Sequence, residues 1–114
     1  MNDKPHVDEQ ALTELKDVME DEFDILIETF LKDSRDRISH LRKVVAENDA
    51  DAIAGSAHSF RGSAVNIGAI QLGELCRQAE QAGKDQRIST ALEVLHAIES
   101  EFGSVEQALK DFLS

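Results

Sequence analysis

The chain predicts an all-α fold: an antiparallel up-and-down four-helix bundle with a short N-terminal lid helix. Three observations carry this expectation. Apolar residues recur at three- and four-residue spacing through most of the 114 residues, the period of an amphipathic helix. Only one proline and six glycines interrupt them, Leu, Ala, Glu and Asp are abundant, and Trp and Tyr are absent, a composition that favours helix over sheet. The segments are joined by short connections, which set neighbouring helices antiparallel.

Residues 1–7 hold the sole proline and no periodicity and are expected as a flexible N-terminal arm; residues 8–114 then form one domain. Asp8 is placed to cap a short helix bearing Leu12, Leu15 and Met19, the lid. A long helix is expected from about Glu22 to Glu47, with Phe23, Ile27, Phe30, Leu31, Ile38, Leu41 and Val45 inward. Asn48 or Asp49 caps a third helix that runs to about Asn66, where Gly68 permits the left-handed turn that ends it. The fourth, from about Ile70 to Ala82, turns Leu72, Leu75, Cys76 and Ala79 inward and stops at Gly83. The last, from about Asp85 to Leu113, carries Ile88, Leu92, Leu95, Ile98, Phe102, Val105, Leu109 and Phe112, with Gly103 as a point of bending.

The third helix is the unusual one. At about 100° per residue, Ala54, Gly55, Arg61, Gly62 and Val65 share one side of the cylinder with His58, while Ile53, Phe60, Ala64 and Ile67 point the other way. Gly62 costs about 1 kcal/mol in a helix interior relative to Ala. Either something needs the room beside the ring, or the glycine permits close packing inside the bundle. With Gly55 one turn before, the imidazole has no bulky neighbour, and the forked donors of Arg61 suit an anion such as phosphate. His6 falls in the expected arm, His40 between apolar positions of a charged helix and His96 near a face boundary; none has such surroundings.

Composition excludes several classes of function. Acidic residues outnumber Lys and Arg by 23 to 12, for a net charge of -11, which disfavours nucleic-acid binding. A single cysteine excludes an intrachain disulfide, removes the usual zinc spacings and reads as a small core residue suited to a reducing cytosol. No His-x-x-x-His or Glu-x-x-His set converges, so no metal site is expected. Acidic runs such as Glu20-Asp21-Glu22 read as helix starts. No apolar run approaches the roughly 18 to 20 residues that span a bilayer, and the N-terminus is polar. A cytoplasmic protein with protein partners is the expectation.

The stretch His58-Ser59-Phe60-Arg61-Gly62-Ser63-Ala64 resembles the histidine-containing phosphotransfer (HPt) domains, whose signature is a histidine, a large apolar residue, Lys or Arg, and Gly. The resemblance continues without a gap through Asn66-Ile67-Gly68-Ala69 and Leu72-Gly73-Glu74-Leu75-Cys76 to Glu80, and more loosely over nearly the whole chain. Arg61 stands where Lys is commoner, Phe60 where Leu is frequent, and Val65 is bulkier than the small residue often found there.

The resemblance implies a phosphocarrier without its own ATP-binding kinase domain. It would relay a phosphoryl group between receiver-domain aspartates, from hybrid sensor kinase to response regulator, through phosphohistidine at His58. The neutral imidazole is the nucleophile, and the reference value of about 6.5 leaves most of it neutral near pH 7. The group sits on Nε2 in the family, and Glu80 falls where the family has Gln or Glu facing the histidine, placed to accept the Nδ1 proton. Arg61 would stabilise phosphate, and Ala54, Gly55, Gly62 and Val65 are expected to form the docking surface. Mg2+ is expected on the partner receiver domain, with no cofactor of the chain's own. A monomer is expected, because the helices spend their apolar faces on one another.

Two other classes compete. A histidine-kinase dimerisation domain resembles a His followed directly by an acidic residue, whereas Ser59 follows His58. A non-catalytic helical adaptor that binds receiver domains needs no histidine, and the joint presence of His58, Arg61 and Gly62 argues against it.

Overall fold

The computed structural model describes residues 5–114 and is an antiparallel up-and-down bundle of four helices with a lid. The elements are α1 (Glu9–Met19), a 3-10 turn (Glu20–Glu22), α2 (Phe23–Ala46), α3 (Ala50–Asn66), α4 (Ile70–Lys84) and α5 (Ile88–Leu113). Each of α2 to α4 packs on its successor, and α5 closes back on α2, with the most extensive contact between α3 and α4.

The inward stripes meet in one core. Phe23, Ile27, Leu41, Ile53, Phe60, Leu72, Leu95, Ile98, Val105 and Leu109 are all fully buried, and each such aliphatic or aromatic side chain contributes about 1.5–3 kcal/mol of burial free energy. Leu12 of the lid is buried as well. Lys16 of α1 lies over the Phe112 ring, 5.8 Å from its centroid, and Phe112 tilts against Phe23 at 5.8 Å. The lid therefore sits where α2 begins and α5 ends.

Three joints share one turn geometry. At the ends of α2, α3 and α4 the residues Asn48, Gly68 and Gln86 adopt φ of 56°, 81° and 58°. The following amides of Asp49, Ala69 and Arg87 reach back to the carbonyls of Val44, Ala64 and Ala82, satisfying helix-end acceptors in the Schellman manner. Asp8 and Asp49 cap α1 and α3 through their carboxylates, accepting from the amides of Ala11 and Ala52, as Asp side chains do at such positions.

Four expectations need correction. Of the arm expected over residues 1–7, positions 1–4 lie outside the described residues, and positions 5–7 are attached. Val7 is buried, the Gln71 amide donates to the Pro5 carbonyl at 2.9 Å and His6 Nδ1 lies 2.7 Å from Glu101 Oε2. The Asp8 amide donates to the Gly68 carbonyl at 2.9 Å, so this segment straps the α3–α4 corner to α5.

Gly83 does not stop α4, which runs to Lys84; the left-handed residue is Gln86, and α5 starts at Ile88 rather than Asp85. Leu92 is 43% exposed. The inner stripe of α5 uses Ala91 and Val94 in its place, leaving Leu92 on the rim of a groove between α2 and α5 with Val45, Ile88 and Leu95. Helix α5 continues through Gly103. Cys76 is buried, and burial pushes its thiol up to about 12, as for an inert core cysteine.

Candidate functional site

The site grows from the α3–α4 contact. α4 carries two glycines against α3: a Cβ on Gly73 would stand 3.1 Å from the Val65 side chain, and one on Gly83 would stand 2.7 Å from the Ala54 nitrogen and 2.8 Å from the Ala50 oxygen. The helices thus approach closely at both ends of their contact, and the side chains between them are brought within hydrogen-bonding reach.

His58 and Glu80 are the result. The His58 side chain is 70% exposed, Glu80 only 10%, and Nδ1 of the ring lies 3.1 Å from Oε2 of the carboxylate. One ring nitrogen is held against the protein, while most of the side chain stays open to solvent. With Nδ1 protonated, the ring donates to Glu80 and leaves the Nε2 lone pair free.

Glu80 is shared more widely. Arg61 Nη1 is 3.5 Å from Oε1, and Lys84 Nζ is 3.1 Å from Oε2. Burial raises the Glu80 carboxyl, but hydrogen bonds from Lys84 and His58 outweigh it and hold the group below the usual carboxylate range, so it is ionised at neutral pH. Arg61 and Lys84 lie one on each carboxylate oxygen, an arrangement that attracts an anion placed over the ring.

The remaining positions fall as follows. Gly55 and Gly62 are exposed, and a Cβ on either would meet nothing within 4 Å. That leaves open space rather than close packing at Gly62, and moves the close-packing role to Gly83. Val65 is 59% exposed and lines a shallow groove with Arg61, Ile70, Gly73, Glu74 and Arg77. Ala54 is half-buried and serves the contact with Gly83 as well as the exposed face. His40 and His96 are exposed and lie apart, on α2 and α5. Among the described residues no group of three His, Cys, Asp or Glu side chains is disposed to hold a metal ion, and no helix is long and apolar enough to cross a membrane.

Two charged neighbours escape a reading of the sequence for this site. Lys84 stands four residues after Glu80, a spacing that pairs side chains on a helix and was there to be read. Arg37 of α2 bonds Asp33 at 2.6 Å and the Ser59 hydroxyl at 2.5 Å, beside His58 in the chain; nothing in its local sequence announces a contact across helices.

Comparison with known proteins agrees with this fold. The sequence model described as the Hpt domain matches residues 25–110. Among solved structures, the chain is similar to histidine-containing phosphotransfer protein B (HptB) from Pseudomonas aeruginosa PAO1. The two are 34% identical, with a TM-score of 0.91 over 94% of this chain and 93% of that one. It shares its fold with the maize histidine-containing phosphotransfer protein ZmHP2, at 23% identity and a TM-score of 0.84 over 95% of this chain and 83% of that one. No curated protein matches the chain.

Proposed function

We propose, since the chain belongs to the Hpt domain family and so to the histidine phosphotransfer steps of phosphorelays, that His58 is its phosphoacceptor. The family interacts with receiver domains. In this reading the chain takes a phosphoryl group from the aspartyl phosphate of one receiver, that of a hybrid sensor kinase, and gives it to the aspartate of a response regulator.

The observation that carries the reading is the division of labour within one ring: Nδ1 faces a buried carboxylate at 3.1 Å while the side chain is 70% exposed. A tautomer fixed in this way presents its Nε2 lone pair to a partner without first losing a proton to a base. The Nε2–P bond forms as the bond from phosphorus to the aspartate oxygen breaks, the carboxylate leaves, and the ring proton stays at Nδ1 in its hydrogen bond to Glu80. In the second half-reaction the incoming aspartate displaces the ring, and the lone pair returns to Nε2.

Arg61, exposed and at 3.5 Å only loosely held by Glu80, is free to turn towards the phosphoryl oxygens, where a guanidinium binds bidentately. Magnesium belongs to the receiver in this reading, because the surroundings of His58 combine two cations with one carboxylate they already share. The open space at Gly55 and Gly62 lets the receiver surface come down on the ring, with Val65 beside it.

The test is incubation with a phosphorylated receiver domain and magnesium. Transfer of an acid-labile, base-stable label to this chain is the expected result. Tight binding of the receiver without label would replace this reading with that of a non-catalytic adaptor.

A further inference from the structure

Glu80 poses a problem for the ring that it orients. An ionised carboxylate 3.1 Å from Nδ1 favours the doubly protonated imidazolium, and an imidazolium has no lone pair at Nε2. Unmodified, the group that fixes the ring would also blunt it as a nucleophile.

The same oxygen has a second neighbour. Oε2 of Glu80 lies 3.1 Å from His58 Nδ1 and 3.1 Å from Lys84 Nζ, while Arg61 stands 3.5 Å from Oε1. We propose that Lys84 is a positioning residue acting through Glu80: by occupying the oxygen that faces His58, it limits the negative charge delivered to Nδ1 and so keeps the ring neutral, with Nε2 free, at neutral pH. The inference rests on His58 as phosphoacceptor and adds a residue that the resemblance does not name.

The other charges facing the ring do not supply this. Arg61, on the same helix, touches the far oxygen and is the group available to phosphate. On α4, Arg77 is engaged by Glu74 at 2.6 Å. From α2, Arg37 approaches Ser59 but is bound to Asp33 at 2.6 Å, so that helix contributes a paired cation and anion. Among the described residues, Lys84 alone shares an oxygen with the imidazole.

The experiment is a ring-proton NMR titration of His58 in the full chain, needing no receiver, for wild type, Lys84→Met, Lys84→Arg, Glu80→Gln and the double Glu80→Gln/Lys84→Met variant. Lys84→Met should raise the His58 midpoint by about half a unit, roughly a threefold rise in proton affinity, and Lys84→Arg should leave it near wild type. In the Glu80→Gln background the Lys84→Met change should shift it by under about 0.2 unit, because the ammonium has lost the group through which it acts. The acid limb of phosphoryl acceptance should move with the midpoint.

An unchanged midpoint in Lys84→Met, or an equal shift with and without Glu80, would overturn the proposal. Because the titration is read in the absence of receiver, such a result leaves the phosphoacceptor reading standing. Absence of label from a receiver, conversely, would overturn that reading without altering the titration.

Discussion

Gly83 and Ala54 meet backbone to backbone: a Cβ on the glycine would stand 2.7 Å from the alanine nitrogen. Glu80 precedes this contact by three residues on α4, and its carboxylate reaches His58, one turn beyond Ala54 on α3. The close approach of two helices thereby sets the distance between the imidazole and its hydrogen-bond partner.

Gly83→Ala should therefore destabilise the protein, although Ala is the better helix former by about 1 kcal/mol. The obstacle is backbone, which cannot rotate aside, and overpacking of this kind costs about 1–3 kcal/mol. Thermal unfolding measures it. Gly62→Ala is the control, because its Cβ enters open space, and its melting temperature should equal or exceed that of the wild type.

Stability and transfer should separate at Gly62. Gly62→Gln gains helix propensity and meets nothing within the chain at its Cβ, so the melting temperature should hold or rise by the equivalent of about 0.4–1 kcal/mol. Phosphoryl acceptance should nevertheless fall at least about tenfold, which corresponds to about 1.4 kcal/mol in the barrier, because the longer side chain occupies the space a receiver needs. Unimpaired acceptance would show that this face does not bear the docking.

What the sequence disclosed, and what it did not, follows from the range of the interactions. Apolar periodicity is local, so the helices and the inward roles of Phe23, Ile53, Phe60 and Ile98 were legible; so was the shared face of His58, Arg61 and Gly62, which needs only the helical angle. Gly83 reads as a stop signal because its true neighbours, Ala50 and Ala54, are some thirty residues away in sequence. Gln86 in a left-handed turn has no local signature, since Gly or Asn is the ordinary choice there. The resemblance, rather than any pattern of spacing, brought Glu80 to His58, and the strap formed by His6 and Val7 depends on α5 and the corner at Gly68.

Glu80 also makes stability depend on pH with a definite sign. Burial raises its carboxyl, but the bonds from Lys84 and His58 leave it lower in the folded protein than the ordinary value of about 4.3. A group whose folded value is depressed stabilises fully above its unfolded value, and that contribution is lost as pH falls through the folded one. Glu80→Gln should therefore melt below wild type at pH 7 and at pH 5.5. The gap should narrow only under about pH 4.3, which melting curves across that range measure; a constant gap would mean that the carboxylate charge is not what stabilises the site.

Whether His58 carries the phosphoryl group is decided by locating the label. After incubation with a phosphorylated receiver and magnesium, fragmentation mass spectrometry under neutral to basic conditions should place one phosphoryl group on His58. His58→Gln should abolish the label, while His40→Gln and His96→Gln retain it. Label on any other residue, or label persisting in His58→Gln, would contradict the account.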